Sequence, residues 1–344
     1  MSTTMVETGH IVPPELHQLP EVSKGWDGHS QFYANNISNL EELFGIVDLP
    51  WEDELGYIKD MTQPWAKGDH ARPENAITLS GQQKQHTREI YSRMNLVDKV
   101  ELPAGTYDGL ILLGGLQSAN MRCLDFLQDA LHKDGVELSD GAKIALWGGV
   151  REIFAEKETT FLEDSLGRLS VNRPLRDKWL QGMVENPNIE TETDGLRLGA
   201  YDKLGRMALH QIHLNMSPAH EEQKSNEPVV AHWDYDFNGH ELVALNTGAV
   251  ERPLGAARHT TEACAQQWAH LYGGSLPPNA RIGFIVSQPY GLRTTRVVQQ
   301  VLDEYGLQGV QLVGAGPAAP PTLGDHVFRG EIARNIYEDF KKTA

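Results

Sequence analysis

The sequence predicts an α/β protein: a parallel sheet flanked by helices, with a helical N-terminal extension and polar insertions. Three observations carry this. From residue 107 onward, short apolar runs alternate with helical segments, and strand–helix alternation implies a parallel sheet with right-handed crossovers. The runs are continuously apolar rather than alternating, the pattern of strands covered on both faces. Every run closes in Gly or a small polar residue, and in an open α/β sheet such ends fall at the carboxyl edge, where ligands bind.

Taken in order, residues 1 to about 100 are polar, rich in Trp and Pro, and lack strong β runs. "NISNLEELFGIV" (36–47) and "SGQQKQHTREIYSRMNLV" (80–97) read as amphipathic helices, each with a Ser or Asn near its start. This part forms a helical extension, 1–100, packed on an α/β domain of residues 101–344. The strand runs of that domain are "DGLILLGG" (108–115), "KIALWGG" (143–149), "ELVALNTG" (241–248), "RIGFIVSQ" (281–288) and "GVQLVGAG" (309–316). Helices fill 119–134, 192–209, 258–272, 291–305 and 326–342. The segments 150–190 and 210–240 exceed ordinary connections and read as polar insertions.

The totals bound the function. The chain has 344 residues, 40% hydrophobic and 22% charged, with a formal net charge of −17. That charge disfavours nucleic-acid and anionic-membrane partners, although a local basic pocket can survive inside it. Cys123 and Cys264 each sit in an apparent helix among apolar neighbours, so they read as reduced, buried thiols. No signal peptide is read at the start and no apolar run approaches bilayer length. A cytoplasmic location is the expectation; the oligomeric state is left open.

The strand ends supply the candidate site. Gly114 and Gly115 let a ligand approach the backbone, the next helix offers free N–H groups, and Arg122 lies near its start. A tight strand–helix turn accounts for the same residues, and the stretch is no G-x-G-x-x-G fingerprint. Gly148 and Gly149 close the second strand and are followed by Arg151, which either contacts ligand or pairs with Glu152 at the surface. Glu192 leads a helix in "NIETETDGLRLGAYDKLG"; it either favours that helix's N-terminus or faces the cleft as acceptor or base. Asn246 ends the third strand, and Arg258, His259 and Glu262 follow around a helix start. There Arg258 suits carboxylate or phosphate recognition, and Glu192, His259 and Glu262 are candidates to move protons.

The stretch "RIGFIVSQPYGLRTTRVVQQVL" (281–302) delivers Ser287 and Gln288 to the edge, with Pro289 and Gly291 shaping the turn. Arg293 and Arg296, three apart, share one face of the next helix. With the helix N-terminus they make an anion site, unless both pair with carboxylates. Arg258, Arg293 and the Gly114-Gly115 turn are expected to converge on one cleft. No metal is expected: Asp234, Asp236, Asn238 and Gly239 open like a calcium loop, but Leu245 stands where a closing Glu belongs. The histidines 210, 213, 220, 232 and 240 lack a zinc spacing. Neither a nucleophile elbow nor a Walker A sequence is present.

The ordered set "YDGLILLGG", "IALWGGVRE", "TETDGLRLGA", "RHTTEACAQQW" and "FIVSQPYGLRTTRVVQQVL" resembles the YdcF-like family, with relatives in the SanA and ElyC envelope proteins. It spans roughly residues 105 to 320, and departs by His259-Thr260-Thr261 where the family usually carries Glu-Asn. The resemblance implies a Rossmann-like fold and a nucleotide-like ligand, S-adenosylmethionine being one candidate cofactor. Three functions fit. The first is an enzyme, a transferase or hydrolase, acting on an anionic small molecule. The second is a non-catalytic ligand sensor, and the third a metal-assisted hydrolase using 232–241.

Overall fold

A computed structural model describes residues 26–29, 31–66, 77–133, 135–149, 158, 164, 192–204, 208–210, 230–237, 239–247, 250–252, 255–258 and 261–343. Its centre is a sheet whose strands are β1 (Trp26–Asp27), β2 (Gly105–Leu113), β3 (Val136–Gly149), β4 (Ala208–His210), β5 (Val230–Phe237), β6 (His240–Thr247), β9 (Arg281–Ile285) and β10 (Gln311–Ala315). β7 (Val250–Arg252) and β8 (Gly255–Arg258) form a separate antiparallel pair. Across the main sheet the order is β1-β10-β9-β2-β3-β6-β5-β4.

The five apolar runs of the sequence pair side by side and all parallel, as β10, β9, β2, β3 and β6. Successive residues serve opposite faces, as strand geometry demands. Leu110 and Leu112 of β2 join one apolar cluster and Ile111 the other; in β9, Ile282 and Phe284 face away from Ile285. Both faces are therefore covered, and the protein has an α/β, Rossmann-like architecture. One face carries α4 (Gln117–Lys133) and α5 (Glu192–Leu204). The other carries α6 (Thr261–Tyr272), α7 (Gly291–Glu304) and α8 (Asp325–Thr343).

That second face continues into the N-terminal helices α1 (Phe32–Ile46), α2 (Leu55–Ala66) and α3 (Gly81–Arg93). α3 starts at a capping box. Ser80 Oγ accepts from the Gln83 N–H, and the Ser80 N–H donates to Gln83 Oε1. α2 lies along α8, and Phe44, Trp65, Tyr91 and Phe328 share one apolar cluster with the sheet. At the far edge β1 pairs antiparallel with β10. The Trp26 indole lies where any Cβ at Gly291 would stand, so the turn before α7 needs glycine to admit the indole.

The insertion expected at 210–240 is not simply a polar excursion. Residues 230–237 form β5, which pairs antiparallel with β6 and with β4, extending the sheet. Phe237 pairs with His240, so the connection has two residues, and Gly239 has φ 86°. This is the geometry for which Asn-Gly is favoured in hairpins. Asp234 and Asp236 therefore stand in a ladder, in register with Val243 and Glu241, rather than in a calcium loop. Among the described residues no three His, Cys, Asp or Glu gather as a metal site, and no helix is long and apolar enough to cross a membrane. The other insertion, 150–190, lies outside the described residues except for Glu158 and Asp164.

Candidate functional site

In chain order the parallel strands are β2, β3, β6, β9 and β10, while across the sheet they run β6-β3-β2-β9-β10. The order reverses between β2 and β9. The helices that follow these two strands, α4 and α7, leave on opposite faces, which makes their carboxyl ends the switch point at which open α/β sheets form a ligand crevice. Gly114 and Gly115 follow β2, and Ser287 and Gln288 follow β9, so both turns border the crevice.

One side chain spans it. Arg122, in the second turn of α4, donates from Nη2 to Ser287 Oγ at 2.9 Å. Its Nε is buried with no hydrogen-bond partner, and no carboxylate among the described residues pairs with it. Burial lowers its pKa from the ordinary arginine value, and Cys123 offsets this only in part. It remains protonated, since arginine starts so high.

The N-terminus of α4 is already occupied. The Gly115 N–H donates to Asn120 Oδ1 at 2.8 Å, and the Gln117 N–H to the buried Glu158 Oε1 at 2.7 Å. Glu158 thus takes the position at which nucleotide-binding folds of this order place a phosphate. Gln117 also reaches Gly195 O from Nε2 at 2.9 Å, fixing α5 against α4.

The glycines serve the chain's own packing. A Cβ at Gly114 would come within 2.7 Å of Glu192 Oε1 and 2.8 Å of Trp147 O. A Cβ at Gly148 would overlap the Thr193 side chain. Both let the start of α5 press onto the strand ends, so their smallness is explained without a ligand. At Gly115, among the described residues, a Cβ would meet Ala119 Cβ at 3.8 Å, an ordinary contact. The Thr193 hydroxyl donates to Asn246 Oδ1 at 3.0 Å, with Gly149 O at 3.3 Å, so Asn246 and Gly149 are engaged from α5. Glu192 is 2% exposed, at the head of α5 beside Gly114. The Cys264 thiol, 3.9 Å from Gly148 O, is pushed up to about 12, first by burial and further by the Glu192 charge.

Arg293 and Arg296 do not form the expected anion site; they belong to the opposite face and to α8. Arg293 Nε donates to Glu331 Oε1 at 2.6 Å, and Glu331 is fully buried. Burial alone would lower the Arg293 pKa, but Glu331 overrides it and holds the guanidinium above its usual value. Arg296, 2% exposed, binds Asp339 through Nη2 and approaches Asn335 O and Oδ1 at 3.5 Å. Asp339 also accepts the Tyr33 N–H at 2.5 Å, joining α7, α8 and α1.

Gln288 is buried and turned away from the crevice, with Nε2 donating to Asn95 O at 2.7 Å and Asp98 O at 3.3 Å. The Gln288–Pro289 peptide is cis. Glu262 is exposed in the first turn of α6, where a carboxylate favours the helix N-terminus. Arg151 and His259 lie outside the described residues, and of Arg258 only the backbone in β8 is described. Sequence reasoning missed Asn120, Gln117, Glu158 and Thr193. For Asn120 and Thr193 the signal is a position just inside the predicted helix starts, where side chains commonly take the free backbone donors; Gln117 lies just before such a start, and Glu158 falls in the 150–190 insertion, which carries no such signal.

The chain matches no protein-family model, no curated protein and no solved structure.

Proposed function

We propose that the chain binds an anionic or nucleotide-like small molecule in the crevice between the carboxyl ends of β2 and β9, with Arg122 gripping an oxyanion of that molecule, a carboxylate or a phosphate. The observation that carries this is the Arg122 guanidinium, which reaches across the reversal to Ser287 with Nε unspent and no carboxylate among the described residues. Arg293, Arg296 and Arg329 each have a carboxylate partner. A half-buried arginine kept without one suits a planar oxyanion supplied from outside.

The occupied α4 terminus narrows the ligand. With Glu158 on the Gln117 N–H, a dinucleotide pyrophosphate would meet a buried like charge there. A ligand whose only oxyanion is one carboxylate avoids that clash. S-adenosylmethionine has this form, and the YdcF-like resemblance of the strand ends points the same way. Glu192, buried at the head of α5, is the group to accept from a ligand donor or to hold a proton. On this reading the protein is an enzyme, a transferase before a hydrolase.

Calorimetric titration tests it with S-adenosylmethionine, AMP and NAD on the wild type, Arg122→Ala and Arg122→Lys. Arg122→Ala should weaken the bound ligand by about 1.5–3 kcal/mol, the range for hydrogen bonds to charged groups. The Lys variant should recover part of the loss, since a point charge lacks the fork. Equal affinity in wild type and Arg122→Ala, or tightest binding by NAD, would refute the reading. Turnover of the bound ligand then separates an enzyme from a sensor.

A further inference from the structure

A cavity of about 880 Å3 lies between α3 and the start of α8, closed on one side by the loop that follows β10. That is the size of a small-molecule site. Its chemistry differs from that of the crevice. Arg88, on α3, lays its guanidinium over the Phe328 ring at 4.8 Å from the centroid and donates to Pro320 O at 3.4 Å. No carboxylate among the described residues pairs with it. Arg329, 4% exposed, gives Nε to Asp325 Oδ2 at 2.6 Å. Its two terminal nitrogens make no hydrogen bond among the described residues, yet they are not sealed from solvent. Arg329 is among the residues that line the cavity.

Of the carboxylates nearby, Asp325 is committed within the wall. Asp325 Oδ1 accepts the Tyr91 hydroxyl at 2.6 Å, so both its oxygens are used within the wall. That contact, after burial itself, holds the Tyr91 phenol well above its ordinary pKa and keeps it a donor. Asp98 accepts from the Ser92 hydroxyl, and Glu89 from Gln85 Nε2 at 3.3 Å on the exposed rim. Lys84 adds a further cation at the mouth. Leu323, Ile77 and Val97 supply an apolar wall.

We infer that this cavity is a second binding site, for a small molecule with an apolar body and a terminal oxyanion, carboxylate or phosphate. Arg88 and Arg329 hold the oxyanion from two helices. Arg88 is oriented by stacking on Phe328, and Arg329 by Asp325, so little side-chain freedom is lost when the ligand arrives. Two arginines lining one cavity match a planar or tetrahedral oxyanion better than a cation or a neutral ligand. The site stands apart from the crevice and does not rest on the reading of Arg122.

The experiment is calorimetric titration with phenyl phosphate, benzoate and inorganic phosphate on the wild type, Arg88→Ala, Arg329→Lys and Arg122→Ala. The wild type should bind phenyl phosphate or benzoate saturably, and inorganic phosphate more weakly because it leaves the apolar wall empty. Arg88→Ala should weaken that binding by about tenfold or more. Arg329→Lys keeps a positive charge beside Asp325 but loses the fork, so it should weaken binding with little change in the urea unfolding midpoint. Arg122→Ala should bind as the wild type does. No saturable binding of either organic oxyanion up to about 10 mM, weaker than a 1 mM site by an order of magnitude, would overturn the inference. So would unchanged affinity in Arg88→Ala, or a loss confined to Arg122→Ala, which would place the binding in the crevice instead.

Discussion

Removing Arg293 should damage the fold rather than a ligand contact. In Arg293→Ala the fully buried Glu331 keeps only Arg334, whose Nη1 stands 3.4 Å away on a side chain 42% exposed. Breaking a buried pair by deleting one partner costs about 3–5 kcal/mol. An orphaned carboxyl can escape by taking up a proton, which at pH 7 costs about 3.7 kcal/mol for an ordinary glutamate pKa near 4.3. That route caps the penalty, and Arg334 relieves part of it, so the expected loss is about 3 kcal/mol. Urea denaturation followed by circular dichroism measures it at pH 7. The double variant Arg293→Ala/Glu331→Leu should be more stable than Arg293→Ala alone, because no buried charge is left unpaired. Should Arg293→Ala stay within about 0.5 kcal/mol of wild type while losing a ligand, the structural assignment of this arginine fails.

Two further outcomes follow from burial. The Cys123 and Cys264 thiols are both pushed up to about 12 by desolvation, against about 8.5 in an unfolded chain. With the folded pKa raised, stability is complete below the unfolded value and falls as pH rises toward the folded one, by about 1.4 kcal/mol per pH unit for each thiol. Unfolding curves between about pH 8 and pH 10 should show this decline, and Cys264→Ala should make it shallower. At the sheet edge, Trp26→Ala should cost about 3–5 kcal/mol. Gly291→Ala should also destabilise, because its new methyl would overlap the Trp26 ring. Combining the two should cost less than the sum, and a strictly additive pair in thermal unfolding would refute the contact.

The parallel strands were legible because burial on both faces leaves an unbroken apolar run, which few other environments produce. Their lateral order was not, since a run such as "RIGFI" carries no mark of its neighbours. β5 is legible in the sequence as well. Trp233, Tyr235 and Phe237 alternate with His232, Asp234 and Asp236, and Asn238-Gly239 follows, which together are the signature of a strand entering a hairpin. The same aspartates imitate a calcium loop, and that pattern obscured the alternation. Arg293 and Arg296 looked like ligand groups because their partners lie 38 and 43 residues away. The hint was on α8, where Glu331, Asn335 and Asp339 recur every four residues along one stripe. Arg122 could be named from its place after a glycine turn, but that it bridges to Ser287 depends on which strands adjoin.

The bond from the Tyr33 N–H to Asp339 joins residues 306 positions apart. On a ribosome adding about 5–20 residues per second, α1 and α2 emerge roughly 15–60 seconds before α8 exists to cover them. Through that interval Phe32, Leu40, Phe44 and Ile58, all fully buried in the finished protein, have no permanent partner on that side. The nascent chain must therefore be shielded by chaperones or by transient contacts of its own. Shortening α8 from its end would extend that exposure indefinitely and turn the first helices into an aggregation surface.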